Sequence, residues 1–343
     1  IFKPSINEDI AATACWGTQQ VGLTTNSSLD GVFSIWYGKG PGVDRSGDPL
    51  KHANFAGTSK FGGVLALAGD DHMAKSSTSA HQSEQSLISA MIPIFNPSSI
   101  QELLDFGLFG IALSRYAGVW VGLKCVTEII ESSCTMLVSQ NKKIFTPQDF
   151  IFPKGGVNIR WPDDFLEQEK RLLNYKLEAV KSFVSINKLN QITHTSLNRE
   201  LGIVTTGKTW LDICSVFKEL KLNTQKLEEM GISVFKIAMP WPLETSRLIK
   251  WAKGFPKILI LEEKRNIIED QLARALYHLE DGERPKLIGK SFEGKNIFVP
   301  SYGELNTKII KEIFYEIFTE NQKSKISIFP EVLENQKSFT KKQ

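Results

Sequence analysis

None of the four cysteines, Cys15, Cys125, Cys134 and Cys214, stands in C-x-x-C spacing with another. That excludes a locally encoded zinc site or cluster-binding run. Scattered single cysteines read instead as small core residues of a reduced, cytoplasmic protein. No apolar run reaches the roughly 18 to 20 residues of a membrane-spanning helix, so no membrane partner is expected. The opening residues IFKPSINEDI have no basic stretch leading into an apolar core, as a signal peptide would. They also lack an initiator Met, and the chain is expected to be an internal piece of something longer. Both signs of charge are mixed through the basic part of the chain, so the surface reads as solvated and no nucleic-acid partner is expected.

The 343 residues are enough for two domains of ordinary size, and 41% hydrophobic against 23% charged residues suits globular cores. Charge divides the chain: residues 1–136 hold 8 Lys and Arg against 12 Asp and Glu, while the remainder is net positive. Up to residue 136, strands alternate with helices. Strands are expected at 31–38 and 62–71, briefly near 94, and at 119–130. Helices are expected at 7–22, 48–56 and from Gln82 to Pro93, with a long amphipathic helix capped by Ser98 or Ser99. GKGPGVDRSG reads as a glycine-rich loop. This alternation implies an open, doubly wound parallel sheet covered on both faces. Residues 137–198 form a connector rich in Pro, Gly and isolated aromatics that contains one amphipathic helix. Alternation then resumes in a smaller α/β unit, 199–319, with strands at 202–206, 232–238 and 257–262 and helices near 210–221, 244–253 and 265–279. Residues 320–343 read as a polar, poorly ordered tail.

Two glycine motifs invite a nucleotide. GIVTTGKT, Gly202 to Thr209, satisfies G-x-x-x-x-G-K-[ST]. A phosphate loop, however, needs its strand before the first glycine so that the following amides wrap the phosphates. Here the preceding residues THTSLNREL are polar, and the apolar run lies between the two glycines, so the segment reads as strand, glycine turn and helix. GKGPG, Gly38 to Gly42, departs from G-x-G-x-x-G, and no acidic strand end follows at dinucleotide-binding distance. It reads as a sharp turn, or as a loop whose backbone approaches a bound molecule closely.

The densest polar stretch is GDDHMAKSSTSAHQSE, residues 69–84, at a strand end. Asp70, His72 and His81 are conceivable metal ligands, but nothing in their spacing fixes a geometry, and no metal site is assigned. A Ser-His-Asp set is also conceivable there, without nucleophile-elbow spacing. The plain alternative is a loop closed by its own hydrogen bonds, with His81 or Ser83 near the next helix. Glu8 is the second candidate. SINE is S-x-x-E, and by spacing alone Glu8 reads first as the partner of an N-capping Ser5.

Three long stretches resemble the indolepyruvate:ferredoxin oxidoreductases, of the thiamine-diphosphate-dependent 2-oxoacid:ferredoxin oxidoreductase family. They are NEDIAATACWGTQQ, DGVFSIWYGKGPGVDRSGDPLKHANFAGTSKFGGVLALAGDDHMAKSSTSAHQSE and FNPSSIQELLDFG. KGGVNIRWPDDFLEQEKRLLNYK, GIVTTGKTWLDI and PWPLE followed by ILILEEKRNIIEDQL resemble the next module of the same family. The resemblance spans roughly residues 1–300.

The resemblance implies that residues 1–136 are a pyrimidine-binding-type domain lacking its first strand, and that 199–319 is a transketolase C-terminal-like domain. It implies that Glu8 hydrogen-bonds the aminopyrimidine of thiamine diphosphate and activates it. Gly40, Pro41, Gly42, Asp70 and Asp71 would then line the cofactor, with Arg45, His52, Lys75, Ser76 and His81 around the substrate. The implied reaction is oxidative decarboxylation of an aryl-2-oxoacid to an acyl-CoA, with electrons passed to ferredoxin. The family's G-D-G…N pattern for diphosphate and Mg²⁺, and its cysteine runs for 4Fe-4S clusters, are not in these residues. They are expected on diphosphate-binding and ferredoxin-like domains or subunits of the same enzyme, without which this chain is expected to be inactive. A homodimer is expected. Another thiamine enzyme, such as a decarboxylase or transketolase-like protein, and a non-catalytic assembly module remain alternatives.

Overall fold

The computed structural model describes residues 1–23, 27–139, 143–292 and 298–326. The chain divides into two compact units: residues 1–190 with 238–244, and residues 191–237 with 245–343. Among the described residues, no helix is long and apolar enough to cross a membrane.

The first unit opens with α1 (Glu8–Thr18), β1 (Phe33–Lys39), α2 (Gly40–Arg45), α3 (Gly47–Ala56) and β2 (Gly63–Asp70). It continues through α4 (Glu84–Ser89), β3 (Ile94–Phe95), α5 (Ile100–Ala117), β4 (Trp120–Val126) and α6 (Thr127–Ile130). The strands form a four-stranded parallel sheet in the order β1-β2-β4-β3. Val64, Ala66, Val121 and Leu123 are all buried, as a sheet covered on both faces requires. Ser99 is the N-cap of α5, accepting from the Glu102 amide, and Gly118 closes that helix in the left-handed conformation.

The expected single strand over 119–130 ends at Val126, where Thr127 begins α6. The helix expected to run to Pro93 stops at Ser89. GKGPGVDRSG is not a loop: its middle is the helix α2. Pro41 fits the first helical turn, where its missing N–H is no loss, and Val43 is fully buried. Burying that valine outweighs the roughly 1 kcal/mol that each glycine costs a helix.

The connector helix is α7 (Phe165–Arg171), one π-helical turn (Leu172–Lys176) and α8 (Leu177–Ile186), all within the first unit. Its inward residues Leu172, Val180 and Phe183 share a core with Phe109 and Leu113 of α5. Residues 238–244 return to this unit: the Asn96 amide donates to Ala238 O at 2.9 Å, and the Ile94 amide to Trp241 O at 2.8 Å.

The second unit comprises β5 (Gln191–His194), β6 (Leu201–Thr206), α9 (Lys208–Glu219), α10 (Thr224–Glu229) and β7 (Ile232–Ile237). It then runs through α11 (Ser246–Ala252), β8 (Lys257–Leu261), α12 (Ile268–Leu276), β9 (Lys286–Ile288), α13 (Thr307–Ile317) and α14 (Glu320–Ser324). The sheet order is β5-β7-β6-β8-β9, with β5 antiparallel and the other strands parallel. Of the tail expected from residue 320, the first part is the capped helix α14, with Gln322 buried and donating to Met230 O at 2.7 Å. The rest, 327–343, lies outside the described residues.

Candidate functional site

Strands β1, β2 and β4 end level with one another: Lys39 pairs with Gly69, and Asp70 with Val126. Three segments leave this carboxyl edge, namely α2, the 71–83 loop and α6. In open parallel sheets, ligands bind at this edge.

Glu8 meets α2 from the side of α1. The Ser5–Glu8 capping box does not form. Asn7 is the N-cap of α1, its side chain accepting from the Ile10 amide at 3.0 Å, and Glu8 is the first helical residue. Two residues after Ser5 the chain offers an equally good cap, and the buried indole of Trp36 fixes that register by donating to Glu8 O at 2.9 Å. The Glu8 side chain is thereby released from backbone duty. It is half-buried and packs against Gly42: a β-carbon on Gly42 would lie 2.6 Å from its Cγ and 3.0 Å from Oε1. Among the described residues, none donates a hydrogen bond to its carboxylate.

The opposite side of α2 rests on His81. A β-carbon on Gly40 would sit 2.2 Å from Cγ and Nδ1 of that ring. His81 Nε2 meets Asp44 Oδ2 at 2.8 Å, and Ser86 Oγ donates to the other Asp44 oxygen at 2.6 Å. On its far side, His81 Nδ1 lies 3.4 Å from Asp70 Oδ1. Asp70 is buried and accepts from the Ser83 amide at 3.0 Å and from Ser83 Oγ at 2.5 Å, with Lys124 Nζ at 3.7 Å. Lys124 also pairs with buried Glu84.

Burial alone would raise the Asp70 pKa, but the His81 hydrogen bond, the Lys124 charge and the Ser83 donors outweigh it and hold the carboxyl well below the usual range. The hydrogen bond to Asp70, opposed by burial and aided by Asp44, pushes His81 up to about 9. His81 is therefore an imidazolium at neutral pH, with both ring nitrogens donating. The conceivable Ser-His-Asp set is ruled out as a nucleophile, because Ser83 gives its proton to Asp70 and His81 has no free base position.

Asp71 is consumed by its own loop. The Ser76 amide at 2.7 Å and the Lys75 amide at 2.9 Å hold its carboxyl below the ordinary range. Ser76 accepts from Lys39 through its carbonyl, and Lys75 pairs with Glu128 of α6 at 2.7 Å. Arg45 pairs with Asp9 of α1 at 3.2 Å in an exposed, solvent-screened bridge. Thus Gly40, Pro41, Gly42, Arg45, Asp70, Asp71, Lys75, Ser76 and His81 all lie along one sheet edge. His52 does not join them. Its ring stacks on Trp16, eight residues from Glu8 and so roughly 12 Å along α1. Among the described residues, Asp70, His72 and His81 form no metal-holding group.

Asp44, Trp36 and Lys124 were missed in the sequence. Lys124 carried a signal: a lone charge in the apolar strand VGLKCV demands a buried partner. In the second unit, β6 runs from Leu201 to Thr206 and α9 begins at Lys208, so GIVTTGKT is a strand and a tight turn. Lys208 Nζ is taken by Asp212 and by Leu305 O, each at 2.7 Å.

The family model for the indolepyruvate oxidoreductase domain matches residues 191–338. Indolepyruvate oxidoreductase subunit IorA of Methanothermobacter marburgensis is 21% identical over 271 residues, covering 79% of this chain and 40% of the relative. Subunit IorA of Pyrococcus abyssi is 22% identical over 312 residues, covering 89% and 43%. Over some four fifths of its length the chain is thus similar to indolepyruvate oxidoreductase subunits, with the domain match itself confined to residues 191–338. It spans about two fifths of the length of these curated relatives. Among solved structures, the 2-oxoglutarate:ferredoxin oxidoreductase of Magnetococcus marinus superposes with a TM-score of 0.57 at 12% identity, over 92% of this chain and 57% of that one. A split-gene transketolase, described as an inactive beta4 tetramer, superposes at 0.52 with 13% identity, over 92% and 83%. The fold is thus the expected pair of α/β modules, pyrimidine-binding type followed by transketolase C-terminal type.

Proposed function

We propose that this chain supplies the pyrimidine-side half of a thiamine diphosphate site in a 2-oxoacid:ferredoxin oxidoreductase. One observation carries the reading: Glu8 is relieved of capping by Asn7, pinned through its carbonyl by Trp36, and left with a half-buried carboxylate to which no group among the described residues donates. Gly42 is what lets the Glu8 side chain lie against α2, since a β-carbon there would meet its Cγ at 2.6 Å.

When bound, thiamine diphosphate supplies the electron sink for decarboxylating a 2-oxoacid. Glu8 would accept a hydrogen bond from a ring nitrogen and hold a proton there. His81 and Lys75 are each paired with carboxylates, the one with Asp44 and Asp70 and the other with Glu128, and hold the edge together. Asp70 and Asp71 hold the loop in place, their oxygens being engaged by Ser83, Ser76 and Lys75. The diphosphate, its Mg²⁺, the 4Fe-4S clusters and the docking of ferredoxin and coenzyme A fall to other domains or subunits. The relatives' names and the oxidoreductase fold support an aryl-2-oxoacid as substrate and an acyl-CoA as product.

The test is Glu8→Gln in the assembled enzyme, assayed by viologen reduction with aryl-2-oxoacids. Loss of the carboxylate should lower turnover by roughly 10²- to 10⁴-fold with the melting temperature unchanged. Turnover within a factor of two of wild type would refute the role of Glu8. The split-gene transketolase neighbour is described as inactive, which favours one second reading, a non-catalytic assembly module. Absence of any 2-oxoacid-dependent reduction by the assembled wild type would favour it.

A further inference from the structure

The helix α2 has glycine at two positions that point in opposite directions. Residues two apart on a helix are about 200° apart around its axis. Gly40 faces the His81 ring, and Gly42 faces Glu8. Both contacts are close enough that a β-carbon would collide, at 2.2 Å and 2.6 Å. With six residues, α2 is a rigid spacer one side chain thick, and what moves one side moves the other. Val43 is buried between them and anchors the helix to the core, while Asp44 reaches round to His81 Nε2.

We propose that His81 is a positioning residue: bridging Asp44 of α2 and Asp70 of β2, it sets the height of α2 on the sheet edge and thereby the place of the Glu8 carboxylate. The inference rests on the proposed role of Glu8 for its functional meaning, but not for its geometry. Loss of charge on the imidazole leaves two carboxylates facing one ring with a single N–H between them. The bridge to the exposed Asp44 is the one that releases, because Asp70 keeps Ser83 and Lys124. Charged groups face the bridge from each neighbouring element: Asp44 on α2, Asp70 on β2, and Lys124 on β4, itself paired with Glu84 on α4. Arg45, at the end of α2, is paired with Asp9 of α1, so α2 keeps its hold on α1 when the bridge opens.

The experiment is hydrogen exchange of the α2 amides, read by NMR or mass spectrometry, together with turnover of the assembled enzyme. His81→Gln removes the charge, and Asp44→Asn removes the partner at an exposed position where folding is not at risk. Each should speed exchange of the Ser46 amide, which donates to Gly42 O and Val43 O, by about tenfold or more, the worth of one charge-assisted hydrogen bond. In wild type the same loss of protection, measured against the unprotected amide's own rise of rate with pH, should set in as His81 deprotonates. Asp44→Asn should lose that pH step. Turnover should fall in both variants through kcat, with substrate KM little changed. Unchanged α2 exchange in both variants would overturn the inference, whatever Glu8 does. Loosened exchange with unaltered turnover would remove its functional half. Loosened exchange with a fully active Glu8→Gln enzyme would refute the Glu8 reading and leave the bridge standing.

Discussion

Replacing Lys176 by Met should make the first unit more stable at neutral pH and turn a nearly flat response to pH into one that falls as pH rises. Lys176 closes the π-helical turn and is fully buried, and its ammonium reaches Phe55 O only at 3.5 Å. A β-carbon on Gly57 would lie 2.7 Å from that nitrogen, so the pocket is tight. Burial first, and then the like charge of Arg171, push the lysine down to about 7, with Asp163 opposing. In the unfolded chain it titrates near 10.5. Between these values the unfolded state holds the extra proton, so folding becomes more favourable as pH rises. Integrating from pH 7 to 9 gives a gain of about 2 kcal/mol, out of a burden of about 4 kcal/mol at pH 7.

His81 works against this in the same window. Its folded pKa of about 9 lies above the ordinary 6.5, so its contribution is complete below pH 6.5 and fades as pH rises through 9. The loss between pH 7 and 9 is about 2 kcal/mol. The wild-type profile should therefore be nearly flat over this range. Urea unfolding of the first unit, repeated at half-unit steps of pH, separates the two groups. Lys176→Met fills nearly the same volume and should lose about 2 kcal/mol between pH 7 and 9, while His81→Gln should gain about as much. A Lys176→Met profile parallel to wild type would refute the reasoning.

Three further outcomes follow from the site. Gly42→Ala should cut turnover at least tenfold by displacing Glu8, whose Cγ would lie 2.6 Å from the new methyl, with the helix gain of about 1 kcal/mol offset by that clash so that the melting temperature is equal or lower; calorimetry and the dye assay measure both. Asn7→Ala should destabilise the first unit by about 1 kcal/mol in urea unfolding, whereas Ser5→Ala should be silent. Trp36→Phe removes the donor to Glu8 O and should cost about 1 to 3 kcal/mol, with faster exchange in the first turn of α1.

Much of the fold was legible because the strands are short apolar runs bounded by glycine, as at GVFSIWYG and GGVLALAGDD. The register of those strands brought the polar loops to one edge as the alternation implied. What escaped had physical reasons. β5 and β9 are short strands at the two edges of their sheet, too exposed to carry a continuous apolar pattern. α2 was hidden by its glycines and proline, because a tertiary contact through Val43 decided its form and local propensity did not. Ser5 and Asn7 are both good caps by type; only the indole of Trp36, 28 residues from the Glu8 carbonyl that it holds, selects between them. Asp70 looked like a ligand group because composition cannot show that Ser83, His81 and Lys124 already surround it.

The path of the chain carries its own consequence. The first unit is finished only by Ala238–Glu244, which emerge after β5, β6 and β7 have been made. During synthesis, Ile94 and Asn96 must wait for backbone partners encoded some 140 residues downstream. A gene cut at residue 190 would therefore yield a piece with an unfinished sheet edge beside β3, and splitting the protein into its halves needs a transplanted heptapeptide as well as a cut.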